Sequence, residues 1–379
     1  MTSNFIFINN QADIDSYAKE MSSCSYIAID TEFNRNNNKY LPQLCLIQIC
    51  YKEDFAIVID CLEGLDLKPI LDIIYNPSIV KIFHSCRQDI EMLFNLTNRV
   101  PKNIFDTQVA ALVVNLAKDI SYEKIIKHFL NVDIDKSLRQ SSWHKRPLNN
   151  KLINYAAKDV LYLYLIYPIL LKEIINKNRE SWLFDIFSSL ENPTLYEFDT
   201  ENFIKKTMHS IPSIYFNKVQ ALVLWREEKA RALNLSRHLV LDTDFIKPLV
   251  LNNVNKENDV SKIIKNTSFE RFTLEIFDIL KNTINVEENK NIEPIKDEDK
   301  SLKVLLKMLL DFCSNKYSIN PFLIANNEDI NDIVVNNNMN NKVFLSWRYE
   351  VFGQYINKLK NGEIGLTFED NKIVAKSLK

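Results

Sequence analysis

Asp30 and Glu32 stand one residue apart at the end of the stretch YIAIDTEF, residues 26–33. The residues before them, Tyr26, Ile27, Ala28 and Ile29, have the aromatic and β-branched character of a buried strand. In a strand, side chains at i and i+2 share a face, so the two carboxylates would lie side by side. Like charges on one sheet face repel, and taking them out of water costs more. Two explanations stand: the strand end is solvated and the pair does nothing, or something positive sits between them. Hard divalent cations take oxygen ligands, so carboxylates without a Cys/His cluster are the donor set they would use.

Two further acids belong with this pair. Asp89, in HSCRQDIEML, lies near the start of a helix that follows a strand. Asp159, in NYAAKDVLYLY, interrupts an apolar helix and stands four residues after Tyr155, on the same helical face. Singly, each reads as a solvated or salt-bridged Asp. As a set on strand, helix and helix they are more specific, because an unpaired carboxylate beside a core is costly.

The elements that must position these groups are legible from periodicity. Residues 26–33, 43–51 and 54–60 read as strands, the last two as a hairpin within an antiparallel meander. LKPILDIIYN is helical, VKIFHS a strand and CRQDIEMLFN a helix. NIFDTQVAALVVNL is a strand end entering a helix capped by Asp106 or Thr107. A helix over 121–130 and the loop KSLRQSSWHKRPLNN lead to a long helix that runs from about Asn149 to Pro168 and resumes beyond it. Strands first, then alternating strand and helix, give a mixed sheet covered by helices. ENPTLYEFD reads as a linker, 218–233 as an amphipathic helix, 281–300 as a polar second linker, and 301–379 as helical again.

Composition excludes several classes. The 379 residues carry a formal net charge of −2 and 46% hydrophobic residues, so a soluble globular chain of two or three domains is expected. No apolar run reaches the roughly 18 residues of a membrane span, and no signal peptide is expected at the start. Only Gly64, Gly353, Gly362 and Gly365 are glycines, so no Gly-rich phosphate loop lies between Gly64 and Gly353. Phosphate chemistry here would rest on carboxylates and metal. The cysteines Cys24, Cys45, Cys50, Cys61, Cys86 and Cys313 form no C-x-x-C pair and read as free thiols of a reducing cytoplasm.

YIAIDTEFNRNNNKYLPQLCLIQIC, KIFHSCRQDIEMLF, IFDTQVAALV and YAAKDVLYLYLIY together resemble the exonuclease motifs of the ribonuclease D family, and IDKSLRQSSWHKRPLN is similar to that family's basic loop. ALVLWREEKARALNLSRHLVL is similar to a helicase-and-ribonuclease-D C-terminal (HRDC) domain. YSINPFLIANNEDINDIV and FLSWRYEVFGQYINKLKNGEIGL resemble its second, diverged copy, with Ser346 where the family has Gly before the Trp-Arg pair. The resemblance implies an α/β ribonuclease-H-like exonuclease domain, a mixed sheet flanked by helices over residues 1–190, followed by two small all-α HRDC-type domains over 208–282 and 300–379.

The family's metal carboxylates fall on Asp30, Glu32, Asp89 and Asp159, and its catalytic tyrosine on Tyr155. The implied cofactors are two divalent ions, Mg²⁺ or Mn²⁺, that hold the attacking and leaving oxygens of a phosphodiester. On this assignment Asp30 bridges both ions, Glu32 and Asp159 join it on the ion near the nucleophile, Asp89 serves the second through water, and Tyr155 orients the attacking water. The implied activity is 3′→5′ exoribonuclease action on RNA, releasing nucleoside 5′-monophosphates, with tRNA precursors as substrates in the cytoplasm and no membrane or obligate protein partner. A DNA-directed 3′→5′ exonuclease and a catalytically silent nucleic-acid-binding protein are the alternatives.

Other residues carry two readings each. His84 is a substrate contact or a packing histidine, and Asp106 a metal ligand or a helix cap. Arg139, Trp143, Lys145 and Arg146 suit phosphate contact and base stacking, or form a solvated loop pinned by Trp143. Gln43 and Leu44 are candidates for lining the terminal-nucleotide pocket. Arg226, Lys229, Arg231 and Arg237 form an RNA-facing patch or a merely solvated helix face.

Overall fold

In the computed structural model, which describes all residues except 1–3, 117–119, 136, 140, 253, 286–296 and 379, six strands form one sheet: β1 (Asn4–Ile8), β2 (Tyr26–Asn34), β3 (Gln43–Lys52), β4 (Phe55–Asp60), β5 (Val80–Phe83) and β6 (Ile104–Asp106), in the order β1-β4-β3-β2-β5-β6. The expected hairpin is present, with β3 antiparallel to β4 and Asp54 at φ 55° in its turn. β2, β3 and β4 are neighbours in chain order, as the expected meander requires, and β1, β5 and β6 extend the sheet with parallel pairs. β1 runs parallel to β4, and β2, β5 and β6 are successively parallel. Parallel neighbours need crossover connections, and the helix α3 (Arg87–Thr97) supplies one between β5 and β6. Sequence reading left β1 unassigned, because five residues at a sheet edge carry little periodicity, and it also left unassigned the helix Gln11–Met21 that follows.

Ile27, Ala28 and Ile29 of β2 are fully buried, so the strand is a core element until it reaches Asp30. The carboxyl ends of parallel strands are where open α/β sheets bind ligands. Asp106 lies at such an end, His84 follows β5 directly, and Asp30 stands in β2 two residues beyond that strand's parallel pairing with β5.

The long helix α6 (Asn150–Asn176) begins at the cap Asn149, whose side chain accepts from Leu152 N at 2.9 Å. It runs through Pro168 without ending. Proline forfeits one helical hydrogen bond, and the buried Ile166, Leu170 and Ile174 on either side hold the helix against the core. With few glycines, left-handed helix ends fall to asparagine: Asn98, Asn131 and Asn234 take φ between 47° and 55° after their helices. A short polar side chain tolerates that conformation better than other residues do.

The chain divides into two compact units. The first comprises residues 1–32, 46–195 and 293–379, so the C-terminal segment belongs to the same unit as the sheet. Trp182 of the helix Glu180–Leu190 stacks on Trp347 at 4.6 Å and 15°, and Arg348 pairs with Asp185. The segment read as helical contains the helices Asp297–Tyr317 and Asn327–Val335, and it adds an antiparallel hairpin, β7 (Ile364–Glu369) and β8 (Lys372–Ser377). Asp370 and Asn371, both at positive φ, form its two-residue turn. Residues 286–296 of the expected second linker lie outside the described residues.

Ser346 adopts φ 53°, the conformation for which the family pattern has glycine. A β-carbon there costs about 1–2 kcal/mol, partly offset by glycine's larger entropy loss on folding. Ser346→Gly is therefore expected to stabilise the protein by up to about 1 kcal/mol, read as a rise in the midpoint of urea unfolding.

The second unit comprises residues 33–45 and 196–292. Its helices pack around Val219, Leu222, Val223, Ile246, Leu249 and Ile276. The basic residues of helix 216–233 are largely spent inside this unit. Arg226 is 1% exposed, lies 4.3 Å over the Phe203 ring and donates to Thr243 at 3.2 Å. Lys229 pairs with Glu275, and Arg237 pairs with Glu227, which also accepts from the Tyr40 hydroxyl. Of the four residues of that face, three are therefore enclosed or ion-paired within the unit, while Arg231 stays exposed and reaches the Tyr40 hydroxyl at 3.4 Å.

Candidate active site

In the second half of β2, carboxylate oxygens of Asp30 and Glu32 lie within 4.8 Å of one another and of one from Asp159. Two oxygens on one Mg²⁺ are separated by at most about 4.2 Å, twice the usual coordination distance. The three acids therefore form a nearly closed oxygen donor set, one that a hard divalent ion fits. Asp89 lies outside that mutual distance. Its Oδ1 accepts from Thr31 N at 3.1 Å and Thr31 Oγ1 at 2.6 Å. The strand that carries Asp30 and Glu32 on one side thus fixes Asp89 through the residue between them.

Electrostatics bind the four acids into one system. Burial pushes Asp30 up to about 6, against the Thr31 amide and the charge of Arg139. Burial raises Glu32 well above the carboxylate range, with Asp30, Asp159 and Asp89 adding to it. Asp89 and Asp159 are likewise raised by burial first and by Asp30 second. The charge of Asp30 acts on all three of the others, and Arg139 opposes the rise at Asp30, Glu32 and Asp159. Desolvated acids that repel each other are costly unless a cation is added.

The Tyr155 hydroxyl lies beside the Asp159 carboxylate, and each shifts the other's ionisation. Burial, then Asp159, Glu32 and Asp30, push its hydroxyl far above its ordinary range, so the phenol is neutral at physiological pH. Tyr122, half-buried, donates to the main-chain carbonyls of Lys158 and Asp159 and pins this turn of α6.

The other candidates fall as follows. His84 Nδ1 lies 2.9 Å from Thr107 Oγ1, and its ring meets Tyr122 edge-on at 5.4 Å. Asp106 is a cap: it accepts from Gln108 and Val109 amides at a helix start and from Ser85 and Cys86 before α3. Gln43, exposed, and Leu44, half-buried, open β3 in the second compact unit. Trp143 is 3% exposed and stacks on Tyr155, with ring centroids 6.2 Å apart and 29° between planes. Arg146 donates through Nε and Nη2 to both carboxylate oxygens of the buried Asp60, each at 2.5 Å. Burial and pairing leave these last two residues little surface for RNA.

Thr31, Tyr122 and Asp60 were not singled out from the sequence. Only Asp60 carried a signal: it ends the apolar run in DFAIVID as Asp30 ends that in YIAID. The hydrogen bonds of Thr31 and Tyr122 join positions 58 and 37 residues apart, which local pattern does not show.

Comparison with known proteins agrees with this geometry. Residues 5–175 match a family described as 3′-5′ exonuclease. Ribonuclease D of Zymomonas mobilis is 30% identical over 378 residues, covering 97% of this chain and 96% of that protein. Ribonuclease D of Bartonella henselae is 30% identical over 385 residues, covering 98% and 94%. The crystal structure of Escherichia coli RNase D, described as an exoribonuclease involved in structured RNA processing, superposes with a TM-score of 0.81 at 23% identity, over 94% of this chain and 99% of that one. The shared mixed sheet, the helical remainder and full-length similarity lead to one conclusion: the chain belongs to the ribonuclease D family and is a ribonuclease D-type 3′→5′ exoribonuclease.

Proposed function

We propose that this enzyme trims tRNA precursors from their 3′ ends, using two divalent ions, Mg²⁺ or Mn²⁺, held by Asp30, Glu32, Asp89 and Asp159. The observation that carries the reading is the convergence of three carboxylates, one buried and two half-buried, within 4.8 Å. Asp30, whose charge acts on every other acid, would serve both ions. Glu32 and Asp159 would hold the first ion with it. Asp89, with Oδ1 committed to Thr31, has its other oxygen for the second ion, through water. Bound at these acids, the ions supply Lewis-acid neutralisation of the charge that builds on the phosphate oxygens.

Water attacks the terminal phosphorus, the bond to the 3′ oxygen breaks, and a nucleoside 5′-monophosphate leaves a shortened RNA with a 3′-hydroxyl. Tyr155, neutral and tied to Asp159, orients the attacking water as a hydrogen-bonding group and is too weak an acid to act as a base. The description of the Escherichia coli relative supports structured RNA as the substrate class. A tRNA precursor offers such a body with a free single-stranded end. Six free cysteines favour the cytoplasm, and among the described residues no helix is long and apolar enough to cross a membrane.

The test is a 5′-labelled tRNA precursor with extra 3′ nucleotides, incubated with Mg²⁺ or Mn²⁺ beside a DNA of matching sequence. Stepwise shortening of the RNA, stalling at a 3′-phosphate, and slower action on DNA are expected. Tyr155→Phe is expected to lower kcat about 10²-fold at unchanged KM. Internal cuts, or equal trimming of DNA, would reject the reading of the substrate; an undiminished Tyr155→Phe would reject the assigned role.

A further inference from the structure

We infer that Asp60, Arg146 and Trp143 form a positioning relay that sets the ring of Tyr155, an inference that rests on the catalytic role proposed for that phenol. The relay begins at the end of β4. Asp60 is 1% exposed and receives Arg146 in a bidentate pair across 86 residues of sequence. A fork of this kind fixes the guanidinium plane as well as its place. The remaining terminal nitrogen, Nη1, donates to the main-chain carbonyls of Trp143 at 2.7 Å and Lys145 at 2.9 Å. Arg146 thus clamps the backbone of the loop that carries Trp143.

Trp143 is buried, and among the described residues its indole N–H finds no acceptor. Burying that donor unpaired is costly. A phenylalanine would fill an apolar slot without this cost, so hydrogen bonding does not account for the indole. Its neighbour is the Tyr155 ring, stacked at 6.2 Å and 29°. The Tyr155 hydroxyl lies beside the Asp159 carboxylate. The face of the phenol is therefore set by the indole while its hydroxyl points into the acidic cluster. Asp60 and Arg146 act on the reaction only through these contacts, and a misplacement on the scale of 1 Å at a reacting group costs about 10²-fold in rate.

The experiment compares Trp143→Leu, Trp143→Phe, Asp60→Asn and Arg146→Lys, each alone and with Tyr155→Phe, on labelled single-stranded RNA with Mn²⁺. Trp143→Leu and Arg146→Lys are expected to lower kcat about 10-fold or more, with KM within about twofold. Trp143→Phe restores most of the rate by keeping a ring face. Asp60→Asn keeps one hydrogen bond to Arg146 and gives an intermediate loss. In the Tyr155→Phe background the same changes are expected to add little, because the group they position no longer has its hydroxyl.

Losses that multiply in that background would overturn the relay and mark the loop as a general structural support. A rise in KM at constant kcat would overturn it in favour of direct RNA contact by Trp143 and Arg146. Full activity of Tyr155→Phe alone would remove the catalytic role of the phenol and the relay with it. A normal effect of Tyr155→Phe with full activity of Trp143→Leu would remove the relay only. Melting temperatures of all variants exclude unfolding as the cause, and Trp143→Phe keeps the test open if Trp143→Leu does not fold.

Discussion

Asp30→Asn removes at least about 10³-fold of the cleavage rate and, in the same protein stripped of metal with EDTA, raises the melting temperature. The two effects share one cause. Asp30 is the acid whose charge reaches Glu32, Asp89 and Asp159 alike. With cations bound, that charge is the centre of the donor set, and an amide in its place loses the anionic ligand the others are arranged around. Without cations it is a buried like charge among three others, raised from an ordinary carboxylate value to about 6. Each unit of such a shift corresponds to 1.36 kcal/mol, so relief of about 1–3 kcal/mol is expected near neutral pH, a few degrees in melting temperature. RNA binding measured by filter retention should persist. A variant that melts lower than wild type in EDTA would show that these acids do not strain the fold and would undercut the site as described.

How much of this was readable in advance depends on whether the signal was local. Asp30 and Glu32 announce themselves, because two acids at i and i+2 after an apolar strand break a pattern within eight residues. Tyr155 and Asp159 are one helical turn apart, and the closeness that lets each shift the other's ionisation follows from that spacing. The mixed sheet was legible from alternating elements. The parallel pairing of β1 with β4 was not, since it joins Asn4–Ile8 to a strand some fifty residues on. The basic loop shows the limit clearly. Trp, Lys and Arg in a polar loop have the composition of a nucleic-acid contact, yet Arg146 finds Asp60 and Trp143 finds Tyr155. Composition names what a side chain could touch, while burial and a distant partner decide what it does touch. The same holds for Arg226, on a helix read for its charge but enclosed beside Phe203.

Metal affinity and stability should depend on pH together, in opposite senses. In the metal-free protein Asp30 titrates near 6, and Glu32, Asp89 and Asp159 are raised well above the usual carboxylate range. Between about pH 4 and those raised values, the folded form holds more protons than the unfolded chain. Stability of the metal-free protein therefore falls as pH rises through this window, and the penalty is complete above it. Binding of Mg²⁺ or Mn²⁺ needs the ionised carboxylates, so it expels protons and tightens as pH rises. One proton released per ion gives about tenfold per pH unit, hence about 10²-fold weaker binding at pH 5.5 than at 7.5. The stabilisation conferred by a fixed Mn²⁺ concentration should grow across the same interval. Calorimetry in buffers of different ionisation enthalpy counts the protons, and melting with and without Mn²⁺ measures the stability. Asp30→Asn should remove part of the slope, since one of the titrating partners is gone. Affinity that stays flat from pH 5.5 to 7.5 would mean the acids are already ionised without metal. In that case their closeness would need another counter-charge, and Arg139, which opposes the rise at Asp30, Glu32 and Asp159, would be the residue to replace next.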